Sequence, residues 1–283
     1  MQVEVNHMIY SAMTNAEYHA ADGLSRSALW EFRKLPAYYH YRYLSGEYIA
    51  SPETEALALG TLVHTMVLEP QEVEARYYVM PKVNRSTKVG KAMHAACVSE
   101  ANGRTLVNEE THAQAFLMSK NLIDAMTEQG IKLYGSQALR EHSIFWQHEP
   151  TRLNLKARPD ALCAPLMIDI KTSLDASYRA FQGSAWKEGY YLQAAMLMEA
   201  CKAVDEPCDA FCFAVVEKKP PYATALYMLD DSALEYGQKL LSQLLEEYKI
   251  CMNTNNWPSY GVKMLLAPTW APNSESREYE QLT

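Results

Sequence analysis

The chain lacks several features that would each have fixed its class. None of its six cysteines belongs to a C-x-x-C pair. That argues against a zinc site, an iron–sulfur cluster or a disulfide framework, and leaves Cys97, Cys163, Cys201, Cys208, Cys212 and Cys251 as structural thiols, with Cys208 and Cys212 in a predicted strand. No apolar run is long enough to span a bilayer, and Met1-Gln2-Val3-Glu4-Val5 has neither a basic n-region nor an apolar h-region. A cytoplasmic protein without a membrane partner is therefore expected. There is no internal repeat and no low-complexity linker. Basic excess is also missing: 26 Lys and Arg stand against 34 Asp and Glu, for a net charge of −8 and a pI near 5.5. Such a chain does not coat nucleic acid, although an enzyme that gathers its cations locally remains compatible with it.

What is present suits a soluble α/β protein. At 283 residues, with 48% hydrophobic and 21% charged content, the chain can bury a sizeable core. One domain over 1–283 is expected, with a helical part at about 20–130, a sheet with flanking helices at about 131–255 and a tail at 256–283.

The most informative stretch runs from Arg158-Pro159-Asp160 to Asp169-Ile170-Lys171. If Ala164-Pro165 is a two-residue turn between antiparallel strands, Asp160 falls opposite Asp169, and Lys171 shares their face. Leu153, Leu155, Ala157 and Ala161 alternate with Asn154, Lys156, Arg158 and Asp160; Leu166, Ile168 and Ile170 alternate with Met167, Asp169 and Lys171. Each strand thus has one apolar and one charged face. Carboxyl groups opposed at roughly 5 Å repel and raise each other's pKa unless a cation lies between them. Oxygen ligands select Mg²⁺, with Mn²⁺ as a substitute, over zinc. In the same register Arg158 faces Lys171, a clash that an anionic substrate would relieve. An exposed hairpin with solvated charges satisfies the same spacing.

Cations gather in two places: Lys156, Arg158 and Lys171 on the hairpin, and Lys82, Arg85, Lys88 and Lys91 in a loop that opens a helix near Gly90. The loop is either solvated surface or a phosphate contact. Upstream, Ser25 is predicted to cap a helix through Leu29, Trp30 and Phe32, interrupted or restarted by Pro36, and Tyr38, Tyr39, Tyr41 and Tyr43 are assigned to the core. Ser51-Pro52 is predicted to start a helix over 53–68, on which Leu57, Gly60, His64 and Leu68 share a face and Gly60 admits a close neighbour. A single histidine on such a face is by itself an ordinary core residue. Helices are predicted at 90–102, 109–129, 176–185, 186–203 and 231–252, and strands at 139–147, 208–217 and 222–229.

In this order, L-S-R-S-A-L at 24–29, G-T-L-V-H-T-M-V-L-E-P at 60–70, R-S-T-K-V-G-K at 85–91, R-E-H-S-I-F-W at 140–146, K-A-R-P-D at 156–160, D-I-K-T at 169–172 and G-Y-Y-L-Q-A-A at 189–195 resemble the PD-(D/E)xK nuclease superfamily and, within it, the RecE-type exonucleases (exodeoxyribonuclease VIII). The likeness covers roughly 20–200 and is loose beyond. It implies a restriction-endonuclease-like core, a central mixed sheet flanked by helices, with N-terminal helical additions. It further implies Asp160 and Asp169 as metal carboxylates, with the Ile170 carbonyl as a further ligand, and Lys171 as the catalytic lysine. His64 matches a histidine beside the metal, Glu141 an additional acid on the preceding strand, and Gln193 the helix motif Q-x-x-x-Y. Here the fourth position after Gln193 is Leu197, which leaves Tyr190 or Tyr191 as the aromatic member. Arg85, Lys88, Lys91, Lys156 and Arg158 become DNA contacts.

The resemblance also implies a Mg²⁺-dependent 5′→3′ exonuclease that resects linear duplex ends in a phage or prophage setting. It would leave 3′ strands for a RecT-like single-strand annealing protein and work as a homo-oligomeric ring, with a tetramer one option. Competing readings are a structure-specific or restriction-type endonuclease on the same fold, and a non-catalytic DNA-binding or assembly protein with a degenerate nuclease core. A mononuclear iron site at His64 lacks a second suitably spaced histidine.

Overall fold

The computed structural model describes residues 7–11, 13–50 and 54–266. In chain order the elements are β1 (Met8–Tyr10), α1 (Asn15–Ala20), α2 (Arg26–Lys34), α3 (Pro36–Tyr39), α4 (Glu55–Leu68), α5 (Val73–Arg76), β2 (Tyr77–Met80), α6 (Lys88–Ala101), β3 (Thr105–Asn108), α7 (Glu109–Glu128), β4 (Leu139–Arg140), β5 (Ser143–His148), β6 (Leu153–Ala157), β7 (Ala161–Cys163), β8 (Leu166–Ser173), α8 (Tyr178–Glu188), α9 (Tyr190–Ala203), β9 (Ala210–Glu217), β10 (Thr224–Met228) and α10 (Asp231–Thr254). A wide helical turn, His40–Leu44, follows α3, and a short 3₁₀ turn, Pro70–Glu72, follows α4.

Side-chain caps explain most helix starts. Ser25 accepts from the Ala28 amide, Thr87 from Gly90, Asn108 from Thr111 and Asp230 from Ala233, each meeting a donor that the first turn leaves without a backbone partner. Thr14 and Glu17 cap α1 reciprocally. Thr54 caps α4; the predicted start at Ser51-Pro52 lies outside the described residues.

The central sheet has the order β10-β9-β8-β7-β4, with β8 and β9 parallel and the other pairs antiparallel. The parallel pair is joined through α8 and α9, the crossover that such strands require. β9 is apolar on both faces because both are covered. Phe211, Phe213 and Val215 pack with α2, α9 and α10, while Ala214 and Val216 pack with α4 and α7. α10 shows its inward stripe at helical spacing, Leu241, Leu244, Leu245, Tyr248 and Cys251. This is the mixed α/β architecture expected from the sequence, a mixed sheet between helical layers. Among the described residues, no helix is long and apolar enough to cross a membrane, and the six cysteines are free thiols.

The hairpin register holds: Ala161 pairs with Ile168 and Cys163 with Leu166 around Ala164-Pro165, which carries Asp160 toward Asp169. Two expected strands are each broken in two. The stretch 153–162 divides into β6 and β7, and 139–147 into β4 and β5, because β5 and β6 belong to a separate three-stranded sheet, β1-β5-β6. Pro159 has no amide hydrogen for a ladder, and Glu141 takes a left-handed φ of 54°, so both strands turn at the same level. The Glu141 amide donates to the Asp160 carbonyl at 3.1 Å across this crease.

The helix boundary predicted between 185 and 186 falls instead at Gly189. Its φ is 66°, and a Cβ there would lie 2.2 Å from the Trp30 ring, so glycine is needed on both counts. Gly60 behaves as expected, approaching the Thr172 hydroxyl on β8. Of the four tyrosines assigned to the core only Tyr39 is buried. Tyr38, Tyr41 and Tyr43 remain exposed, because the short α3 and the wide turn after it present one side only.

Candidate active site

Asp169 and Lys171 alternate with Ile168 and Ile170 on β8, so they share the face that α9 covers. Asp169 is almost fully buried there. Its Oδ2 is ion-paired with Lys171 Nζ, and its Oδ1 accepts from Gln193 Nε2 at 2.5 Å. Lys171 Nζ also donates to Gln193 Oε1 at 3.2 Å and lies 4.7 Å from the centre of the Tyr190 ring. One amide therefore bridges the acid and the amine. Burial pushes the Asp169 carboxyl upward, and the Lys171 ammonium opposes it. Burial likewise raises Tyr190, against the pull of Lys171.

A second group converges at the crease. His64, Glu141 and Asp160 each offer a ligand atom, and those atoms lie within 4.8 Å of one another. His64 comes from α4, which Gly60 allows close to β8; Glu141 and Asp160 come from the two strand breaks. Asp160 Oδ2 accepts from the Ile170 amide at 2.6 Å and lies 3.5 Å from His64 Nδ1. Burial, with Asp160 and Glu69 nearby, pushes Glu141 up to about 8, although the Arg158 guanidinium is 4.0 Å away and works against it. A cavity of about 280 Å³ opens beside this cluster, lined by His64, Thr65, Glu69, Arg76 and Glu141.

The donor set fits a divalent cation. It comprises one imidazole and two carboxylates from three elements, one of the acids so disfavoured as an anion that it holds a proton near neutrality. Asp169 stands apart from this trio, its oxygens facing Lys171 and Gln193, so of the expected set the structure brings Asp160, Glu141 and His64 together and leaves Asp169 in an adjoining network. The Ile170 amide serves Asp160, a contact the sequence did not suggest.

Other predicted residues are placed less simply. Lys156 is buried, and its ammonium donates to the carbonyls of Tyr18, His19 and Ala21, where it closes the C-terminal end of α1. Arg158 donates to Ser143 Oγ, Asn15 Oδ1 and the Met13 carbonyl. Neither presents the free cation expected for a duplex, and Arg158 does not face Lys171, because the strand has already turned away. Lys82, Arg85, Lys88 and Lys91 are exposed around the start of α6, whose first turn is capped by Thr87. Leu197 packs in the core, and Tyr190 rather than Tyr191 lies against Lys171; Tyr191 packs on Trp30 and Trp186.

Sequence reading passed over Glu69 and Arg76, whose carboxylate and guanidinium meet at 2.6 and 2.8 Å on the cavity wall. An acid ending an apolar helix directly before Pro70 was the available signal.

Residues 25–264 match the family model described as "PDDEXK-like domain of unknown function (DUF3799)", and the chain belongs to that family. The match runs well beyond the stretch in which the sequence motifs were strong. The class so defined is the PD-(D/E)xK nuclease superfamily, whose mixed-sheet core the chain has. Among solved structures, one described as "Putative exonuclease" from Eubacterium rectale is similar at 13% identity and a TM-score of 0.52, over 89% of this chain and 96% of that one. At such identity the likeness concerns the fold. A second, the structure of SSO0001, has 12% identity and a TM-score of 0.29 over 69% of this chain and 86% of that one, too low to weigh. No curated protein matches the chain.

Proposed function

We propose that the protein is a Mg²⁺-dependent exonuclease of RecE type that degrades linear duplex DNA from 5′ ends and leaves 3′ strands for annealing. The observation that carries the reading is the convergence of His64, Glu141 and Asp160 within 4.8 Å beside the Asp169, Lys171 and Gln193 network. Phosphodiester hydrolysis needs a water held for attack and relief of charge on the phosphoryl oxygens. When bound at the crease, Mg²⁺ supplies the Lewis acidity for both. His64, Glu141 and Asp160 hold it, with Asp169 and the Ile170 carbonyl as the remaining candidates.

Lys171 directs its ammonium into the acid network, against Asp169. On arrival of a phosphate its ammonium exchanges part of its pairing with Asp169 for the developing negative charge, and Gln193 keeps both groups aligned. Tyr190 restricts where the ammonium can swing. The cations at Arg85, Lys88 and Lys91 meet the duplex backbone. A ring of subunits, with an annealing protein as partner, would reconcile the net charge of −8 with DNA binding by lining a channel with cations and leaving the acids outside.

The test is incubation of the purified chain with linear duplex labelled at the 5′ or the 3′ end, with and without Mg²⁺, beside a covalently closed circle. Release of 5′ label only with Mg²⁺, with the circle intact, supports the reading. Cutting of the circle replaces it with an endonuclease, and no hydrolysis in any arm removes it.

A further inference from the structure

A groove of about 510 Å³ lies between α8, α10 and β10, on the same sheet face as Asp169 and Lys171. Its floor is built in the ordinary way: Phe213, which pairs with Asp169 in the β8–β9 ladder, packs against Phe181, and Phe181 stacks on Tyr227 at 5.1 Å. The rim is different. Tyr178 is 66% exposed and Trp186 48% exposed; each packs on one side, Tyr178 on Tyr227 and Trp186 on Tyr191 and Tyr236, and is open on the rest.

Both rim rings come from α8, where Tyr178 and Trp186 are eight residues apart and therefore about 12 Å apart along one side of the helix. That span accommodates a short run of bases at about 3.4 Å per stacked nucleotide. Each ring is followed directly by a cation, Arg179 and Lys187, which lie outside the groove lining, on the flank of α8 about 100° round from the ring before each; both are exposed and have no ion-pair partner among the described residues. Asp230 also borders the groove, where the Ala233 amide and the Ser232 hydroxyl donate to its oxygens and hold it as an anion at the start of α10, on the side away from α8. Continuity with the catalytic network is direct. The Tyr190 ring that lies under Lys171 is 5.5 Å from Phe213 and 5.9 Å from Phe181.

We infer that this groove is a stacking subsite for single-stranded nucleic acid, with Tyr178 and Trp186 against bases and Arg179 and Lys187 against phosphates. Aromatic faces accept any base, and an adjacent row of cations follows the backbone, the combination used for sequence-tolerant binding of single strands. A protein helix would be served as well by the apolar floor, but it does not explain a cation placed immediately after each exposed ring. The substrate class rests on the nuclease reading above. The groove holds the strand that has lost its complement, close to the residues proposed to cut.

The test measures binding of a dye-labelled twelve-residue oligothymidylate to the full chain by fluorescence anisotropy in EDTA, so that no hydrolysis intervenes. Tyr178→Ala and Trp186→Ala should each weaken binding by about tenfold or more, with Trp186→Phe restoring most of it. Arg179→Gln and Lys187→Gln should each make the salt dependence shallower by about 0.7 in log–log slope. Tyr178 is exposed enough that its variant should keep the wild-type circular dichroism and melting curve, so a folded Tyr178→Ala protein with wild-type affinity overturns the inference. So does an absence of oligonucleotide binding accompanied by self-association that Trp186→Ala abolishes, which would make the face a protein interface. Because the assay contains no metal, the two readings fail separately. A chain that binds the oligonucleotide through these rings but never hydrolyses duplex keeps the groove and loses the nuclease, whereas a nuclease indifferent to the rings loses only the groove.

Discussion

The two halves of the candidate site solve the same electrostatic difficulty differently. Around Asp169, the protein supplies its own counter-charge: Lys171 pairs with the carboxylate and Gln193 bridges them. At the crease, Glu141 and Asp160 converge without a lysine or arginine paired closely to either, the Arg158 guanidinium lying 4.0 Å from Glu141 and Arg76 on the cavity wall, and burial holds Glu141 largely protonated. A self-neutralised pair needs nothing from solution, whereas two acids and an imidazole within 4.8 Å favour any divalent cation that displaces the proton. Under the proposed function, the contrast would give metal capture to one half and charge delivery to the other.

The most damaging test of that division is Asp160→Asn. It should abolish hydrolysis of linear duplex by about a thousandfold or more and remove metal binding in calorimetry, while a retained metal isotherm would shift the cation to the Asp169 half. Lys171→Ala should slow kcat by about a hundredfold with metal and DNA affinity little changed. A defect confined to affinity would take charge delivery away from this residue.

Glu141 gives a pH test with a defined sign. Its folded-state pKa is raised from the carboxylate range to about 8, so between those values the folded protein keeps a proton that the unfolded chain releases. Metal-free stability should therefore fall as pH rises through that window and level off above about 8, and Glu141→Gln should flatten the fall. Metal affinity should run the other way, rising with pH until the proton is gone. A flat profile in wild type would mean that Glu141 is ionised throughout. The smallest effect lies outside both halves: replacing Arg85, Lys88 and Lys91 with Gln should weaken duplex binding and reduce the salt slope by about 0.9 per charge, and an unchanged slope would return the loop to solvated surface.

The candidate site was legible in the sequence where its residues fell on regular spacing. The period-two pattern and the Ala164-Pro165 turn gave the register that aligns Asp160 with Asp169, and Gly60 signalled the approach of α4 that brings His64 in. The sheet break was not legible. Alternation runs through Arg158-Pro159-Asp160 without interruption, and the bend is recorded by a tertiary contact, the Glu141 amide on the Asp160 carbonyl. For the same reason Lys156 and Arg158 read as surface cations. Most of their partners are carbonyls and side chains of residues 13–21, far away in sequence, with Ser143 a further partner of Arg158, and no local pattern announces them. Helix 15–20, absent from the sequence reading, is held by that lysine.

The crease has a practical corollary for anyone wishing to graft this constellation elsewhere. Two of its three converging groups, the acids Glu141 and Asp160, owe their aim to main-chain geometry, so copying the side chains onto a straight hairpin would scatter them, and a faithful transplant must carry the fold line itself.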